Sequence, residues 1–214
     1  AQIQVKPDLA AEINKSKTDF PVPVCIFSFY TKGARDKDRA ALQILLNALT
    51  QGKSSRLWRS LVKEKRDAEY FTGEYIEAEN NGLVILAAAY LPGMRGKVER
   101  NIWNQLEKIK ENGLNEDEFI KARNLLRAGN VFEKYYVDRL ASTIGFSEVV
   151  RGDYELFYAM DEEIQSVTQE DVIMAANRYF AKENLRKIYL EPKEPMLLAV
   201  MAGLVKMIFK TGEL

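Results

Sequence analysis

The side chains of this chain best suited to chemistry are gathered in one stretch, GKSSRLWRSLVKEKRDAEYF, residues 52–71. A Gly-Lys-Ser-Ser turn offers hydroxyls and an ammonium, a basic helical segment studded with Leu and Trp follows, and a strand carrying Tyr70 adds a phenol. Arg56, Arg59, Lys63, Lys65 and Arg66 form a run of cations, diluted by Glu64 and Asp67. Such a run suits either a solvated helix face or recognition of peptide carbonyls and carboxylates.

What the stretch lacks is a histidine, so its acid–base candidates are carboxylates, lysines and tyrosines. The chain has no histidine, which removes the commonest general base, the commonest metal ligand and every Ser–His or Cys–His nucleophile pair together. Acidic residues fall in runs such as Glu116-Asp117-Glu118 and Asp161-Glu162-Glu163, expected as solvated helix faces rather than a catalytic dyad. GKSS ends like a phosphate-binding loop, but Asn47 stands where that loop needs its first glycine, and the segment follows a helix. Nucleotide binding is not expected. Cys25, the one cysteine, lies in the apolar run VPVCIFSFY; it reads as a core residue and excludes an intrachain disulfide or a cysteine metal cluster.

At 214 residues the chain is long enough to bury a core as one domain. Thirty-one basic residues balance thirty-one acidic ones, so no global field draws it to nucleic acid or anionic lipid, and partners must be found by local surface. Beginning at Ala1 without a leader, it is expected to be a processed product or an excised segment, in a bacterial periplasm or cytoplasm. Residues 1–20 read as a linker, 21–192 as the domain, and 193–214 as an apolar tail. In that tail the run MLLAVMAGLVKMIF (196–209) contains Lys206 and is too short to span a bilayer. It is expected to pack on the domain as a helix, or to meet an interface or partner.

The elements that must position these side chains follow from periodicity. PVPVCIFSFY reads as a strand; Leu42, Leu45, Leu46 and Leu49 mark one stripe of a helix. A second helix is predicted over 55–66 and a strand over 68–78, with Asn80-Asn81-Gly82 as hairpin turn into the buried strand GLVILAAAYL. Val98, Ile102, Leu106 and Ile109 mark the next helix, Asn115 and Glu118 form a capping box, and helical segments continue to about Val150. Thr168 and Asp171 cap a further helix before the last strand, LRKIYLEP. Hairpin-joined strands with helices in blocks predict an α+β fold, helices on one face of a largely antiparallel sheet.

Four segments, in order, resemble one family. GKSSRLWRSLVKEKRDAEY is similar to G-x-SSRL…LREKRGLAY, and DKDRAALQILLNALTQGKSSRL to the D-x-D-x-x-A-L-x-V-L-x-x-I-L-G-G-G-x-SSRL that precedes it. LNEDEFIKARNLL resembles L-T-x-E-E-L-x-x-A-K-x-x-L, and IQSVTQEDVIMAANRYF resembles I-x-x-V-T-x-E-D-V-x-x-A-A-x-R-Y-F. These belong to the second, non-catalytic domain of pitrilysin- or insulinase-type zinc metallopeptidases, the group that includes the mitochondrial processing peptidase. The resemblance covers about 20–192.

The resemblance implies the same α+β domain. It also implies a division of labour: zinc is held by an inverted H-x-x-E-H motif of a homologous domain or subunit, absent here, so no cofactor is expected in this chain. The second domain helps enclose a peptide chamber and supplies an Arg and a Tyr, seven positions apart, to the substrate. Their matches are Lys63, which keeps the charge but loses the bidentate fork, and Tyr70. The family's glycine after Lys-Arg is Asp67 here, which departs from the expected turn. The implied function is the non-catalytic half of a zinc metalloendopeptidase, its partners a zinc-binding peptidase domain and a peptide substrate. The alternative is a proteolytically inactive structural or binding protein of the same fold. A domain built to face a partner is also expected to self-associate when alone.

Overall fold

The computed structural model describes residues 13–193. Its strands are β1 (Ile13–Thr18), β2 (Val24–Lys32), β3 (Tyr70–Glu77), β4 (Asn81–Ala89) and β5 (Leu185–Pro192). They form one sheet in the order β1-β5-β2-β4-β3. Only β1 and β5 run parallel; the other neighbours are antiparallel. Between β2 and β3 lie α1 (Arg39–Thr50) and the short α2 (Arg56–Trp58), which runs straight into a π-helical segment, Arg59–Glu64. Between β4 and β5 come α3 (Arg95–Asn112), α4 (Glu116–Glu133), α5 (Val137–Phe146) with a π-helical extension over Ser147–Arg151, α6 (Leu156–Ser166) and α7 (Gln169–Tyr179).

Strand alternation sets which face is covered. Cys25, Phe27 and Phe29 of β2, Val84, Leu86 and Ala88 of β4, and Phe71 of β3 are all buried in one cluster with Leu42, Leu45 and Leu49 of α1. Val98, Ile102, Leu106 and Ile109 of α3 and Val172, Ala175 and Ala176 of α7 complete it. Phe29 meets Phe180 edge to face at 5.0 Å. Each large apolar side chain so enclosed contributes about 1.5–3 kcal/mol. Residues of the opposite phase, such as Ile26, Ile85, Ala87 and Ile188, keep partial exposure on the second face. The expected fold class, helices on one face of a largely antiparallel sheet, is the one observed.

Both predicted capping boxes form. Glu118 N–H donates to the Asn115 side chain at 2.8 Å and Asp171 N–H to the Thr168 hydroxyl at 3.2 Å, each with the reciprocal bond, which satisfies helix-start donors that would otherwise stay open.

Other expectations need correction. Residues 1–20, read as a linker, include β1. Its sequence, INKSKT, carries no apolar alternation, and it is a strand because its backbone pairs with β5 from Ile13↔Lys187 to Thr18↔Pro192. Asn81 and Gly82, read as turn, already sit in the ladder opposite Thr31 and Lys32, leaving residues 78–80 as the connection. The helix predicted over 55–66 is a single α-turn followed by π geometry. Four helices were expected between β4 and β5 and five are present, α6 being the addition. The tail at 196–209 lies outside the described residues. Among those described, no helix is long and apolar enough to cross a membrane.

Candidate functional site: the Lys63–Tyr70 segment

The segment begins at the GKSS turn, which links α1 to α2. Gly52 takes φ +77°, a conformation glycine adopts without the Cβ penalty, and Ser55 N–H closes the turn on Gly52 C=O at 3.0 Å. The turn follows a helix, as the sequence indicated. Leu57 and Leu61, four residues apart, are then fully buried, which leaves Arg59 and Lys63 on the opposite, exposed side.

The cation run is smaller than it looks in sequence. Arg56 is bound to Glu118 of α4 in a largely buried pair, and Arg59 pairs with Glu64 at 3.1 Å. Lys63, Lys65 and Arg66 are exposed and carry no ion pair among the described residues. Glu118 is accordingly no solvated carboxylate. Burial pushes its pKa up, but the Arg56 hydrogen bond and charge, with the Asn115 N–H, outweigh that and hold it below the ordinary glutamate range. Glu163, also expected on a solvated face, bridges the buried Arg151 at 2.5 Å and Arg39 at 3.5 Å.

After Lys63 the chain leaves helical geometry. Lys65 N–H bonds Ser60 C=O at 3.1 Å, the i→i+5 spacing of a π turn, and Asp67 and Ala68 N–H both bond Leu61 C=O, at 2.8 and 3.1 Å. Arg66 has φ +52°, the one left-handed non-glycine among the described residues. Asp67 is not left-handed but buried, its carboxylate accepting from the Asn101 side chain at 3.0 Å. The departure from the family glycine therefore does not break the turn; the left-handed residue is one position earlier. Glu69 N–H then bonds Ala89 C=O at 2.9 Å and opens the β3–β4 ladder, in which Tyr70 faces Ala89.

Tyr70 is 59% exposed while Phe71 is 2% exposed. Alternation therefore points Phe71 into the helix-covered core and Tyr70 out on the open face, on a strand at the edge of the sheet. Lys63 and Tyr70 thus flank one short connection, both free toward solvent. They line neither the cleft of about 520 Å³ between the α1 entry, Arg151 and α6, nor that of about 410 Å³ beside Arg56 and Lys108.

Elsewhere the chemistry is sparse. Cys25 is fully buried, and burial followed by the nearby Glu99 charge pushes its thiol up to about 12, so it holds no thiolate near neutrality. Among the described residues no group of three or more potential metal ligands converges.

A family model described as the peptidase M16 inactive domain matches residues 3–126. An uncharacterized zinc protease of Streptomyces coelicolor is 32% identical over 64% of this chain and 30% of its own length. A zinc protease of Helicobacter pylori is 23% identical over 74% of the chain and 36% of its own. The chain spans about a third of the length of these curated relatives. Among solved structures, the inactive peptidase domain of a zinc protease from Bordetella parapertussis superposes with a TM-score of 0.74 at 20% identity, covering 84% of this chain and 95% of that one; at that identity the likeness concerns the fold alone. The match over more than half its length identifies the chain as a member of the peptidase M16 inactive-domain family.

Proposed function

We propose that the chain is the non-catalytic half of a zinc metalloendopeptidase. It forms one wall of a peptide-binding chamber and presents Lys63 and Tyr70 to a substrate held at a zinc site on a homologous partner domain or subunit. The observation that carries this reading is the pair itself: a lysine without an ion partner among the described residues and a phenol 59% exposed, at the two ends of one structured connection and outside both large clefts. Polar groups on an open, one-sided surface compete with water for a peptide, and a second surface closing over them removes that competition. Excluding water there would strengthen both contacts. Lys63 supplies charge and Tyr70 a donor; neither is a nucleophile or a base, and the hydrolytic chemistry belongs to the partner's zinc.

The test is reconstitution with the zinc-bearing domain and a fluorogenic peptide. Turnover that needs both parts and stops with a chelator supports the reading. A zinc domain that cleaves with the same kcat/KM without this chain would leave the chain a scaffold. Lys63, in place of the planar Arg the family pattern expects, is the observation that favours that second reading.

A further inference from the structure

The connection that carries Lys63 and Tyr70 is held from one helix, at two points. Ser60, three residues before Lys63, donates its hydroxyl to the Asn101 side-chain oxygen at 2.8 Å, and its backbone carbonyl accepts from the Asn101 amide at 3.4 Å. The same amide donates to Asp67, three residues before Tyr70, at 3.0 Å. Gln105, one turn further along α3, adds a bond to the Ser60 hydroxyl at 3.1 Å. Asn101 is 2% exposed, Ser60 4% and Asp67 8%. A polar cluster this buried is costly when any member is left without a partner, so its geometry is tightly constrained.

The segment between the two anchors is irregular in a way that needs holding. It closes a π turn, passes through the left-handed Arg66 and enters an edge strand within a few residues. A non-glycine residue at φ +52° is strained and persists only where its surroundings fix it. Asp67, the next residue, is fixed twice: by its N–H on Leu61 C=O and by its carboxylate on Asn101.

We propose that Asp67 and Ser60, gripped together by Asn101, are positioning residues that set the spacing and direction of Lys63 and Tyr70. The proposal rests on the reading of those two side chains as substrate contacts. The cluster touches no substrate itself. It converts a flexible turn into a rigid mount on α3, whose Val98, Ile102 and Leu106 are anchored in the core, and rigid mounting is what a donor aimed at a transition state requires. It also gives Asp67 a task that a glycine there could not perform, since only a side chain reaches Asn101.

Two readouts on the full chain separate this device from its assumption. In Asp67→Ala, amide exchange across residues 62–70 should accelerate by about tenfold or more while β2 and β4 keep their protection. In Asp67→Asn, which retains an acceptor for the Asn101 amide, protection should return. With the zinc-bearing partner and a fluorogenic peptide, Asp67→Ala should lower kcat by up to about 100-fold with KM little changed, and Asp67→Asn should restore it. Exchange that rises evenly through the core, or not at all, overturns the proposal. So does unchanged kcat per folded molecule in Asp67→Ala where Tyr70→Phe is impaired. Locally faster exchange with no loss of activity in Asp67→Ala or Tyr70→Phe confirms the clamp and refutes the substrate role of the pair, so the two failures are told apart. Should Asp67→Ala not fold, Ser60→Ala, which removes the hydroxyl bonds to Asn101 and Gln105 and keeps the carbonyl bond, is read the same way.

Discussion

The guanidinium of Arg56 grips the Glu118 carboxylate through two nitrogens, with Nε–Oε1 at 3.1 Å, and so ties the start of α2 to the first turn of α4. Glu118 also caps its own helix by accepting from Asn115 N–H at 3.3 Å. One carboxylate therefore fixes both the entry to the candidate site and the helix behind it. Glu118→Gln should cost about 1.5–3 kcal/mol, the range for hydrogen bonds to charged groups. Because the folded pKa lies below the unfolded one, the stabilisation is fully present above the unfolded value of about 4.3 and is lost as pH falls through the folded value. Thermal melting of the wild type and Glu118→Gln from neutral to acid pH checks this: the gap between the two Tm values should shrink in acid. A constant gap would show that the charge contributes nothing.

Tyr70→Phe removes only a hydroxyl from a side chain 59% exposed, so the melting temperature should be unchanged. If the phenol meets a developing oxyanion, kcat/KM of the assembled peptidase falls by about 10²–10³, the usual effect of one such donor. Full activity would remove Tyr70 from the site.

Lys63→Arg restores the planar fork implied by the family pattern. Lys63 is exposed and unpaired among the described residues, so the longer side chain has room. Peptide kcat/KM should hold or rise with no shift in Tm, whereas Lys63→Met should lower it. Equal activity in all three would show that the charge is not read by the substrate.

Gly33 lies where β2 ends against the β3–β4 connection. A Cβ there would sit 2.1 Å from Glu79 C=O oxygen and 2.7 Å from the Asn80 carbonyl carbon, both backbone atoms that cannot swing aside. Gly33→Ala should destabilise by about 1–3 kcal/mol, read by denaturant midpoint, while Gly96→Ala, with open space around it, should be tolerated.

At the α4–α5 junction Phe132, Tyr135, Tyr136 and Val137 are 61%, 75%, 56% and 84% exposed. A surface this apolar should drive the chain, when alone, to concentration-dependent self-association in sedimentation. Tyr135→Lys combined with Val137→Glu should return it to monomer. A wild-type chain that stays monomeric throughout the series removes this surface from consideration as an interface.

Much of the fold was legible in sequence because it rests on local signals. The stripe Leu42, Leu45, Leu46, Leu49, the β-branched and aromatic run VCIFSFY and the two capping boxes each act over a few residues, and each forms the helix, strand or cap its pattern indicates. The ion-pair roles of Glu118 and Glu163 were not legible, because their partners are Arg56 in one case and Arg39 and Arg151 in the other. A carboxylate in a charged run looks solvated until a distant guanidinium is folded against it.

By itself the sequence determined what the chain can and cannot do chemically. Without histidine, and with one cysteine inside an apolar run, it offers no imidazole and no Ser–His or Cys–His pair, which leaves carboxylates, lysines and tyrosines as its acid–base groups. It also determined α1, α3, α4, α7 and the central strands, since burial of a periodic apolar face is the dominant local instruction. Tertiary structure decided the rest. INKSKT became β1 only by pairing with β5. The cation run was reduced to Lys63, Lys65 and Arg66 by partners far along the chain or one turn away. Asp67, an apparent flaw in the motif, became an anchor because α3 brings Asn101 to within 3.0 Å of it. Backbone pairing and buried polar contacts depend on which distant groups folding brings within hydrogen-bond reach, and no local pattern encodes that distance.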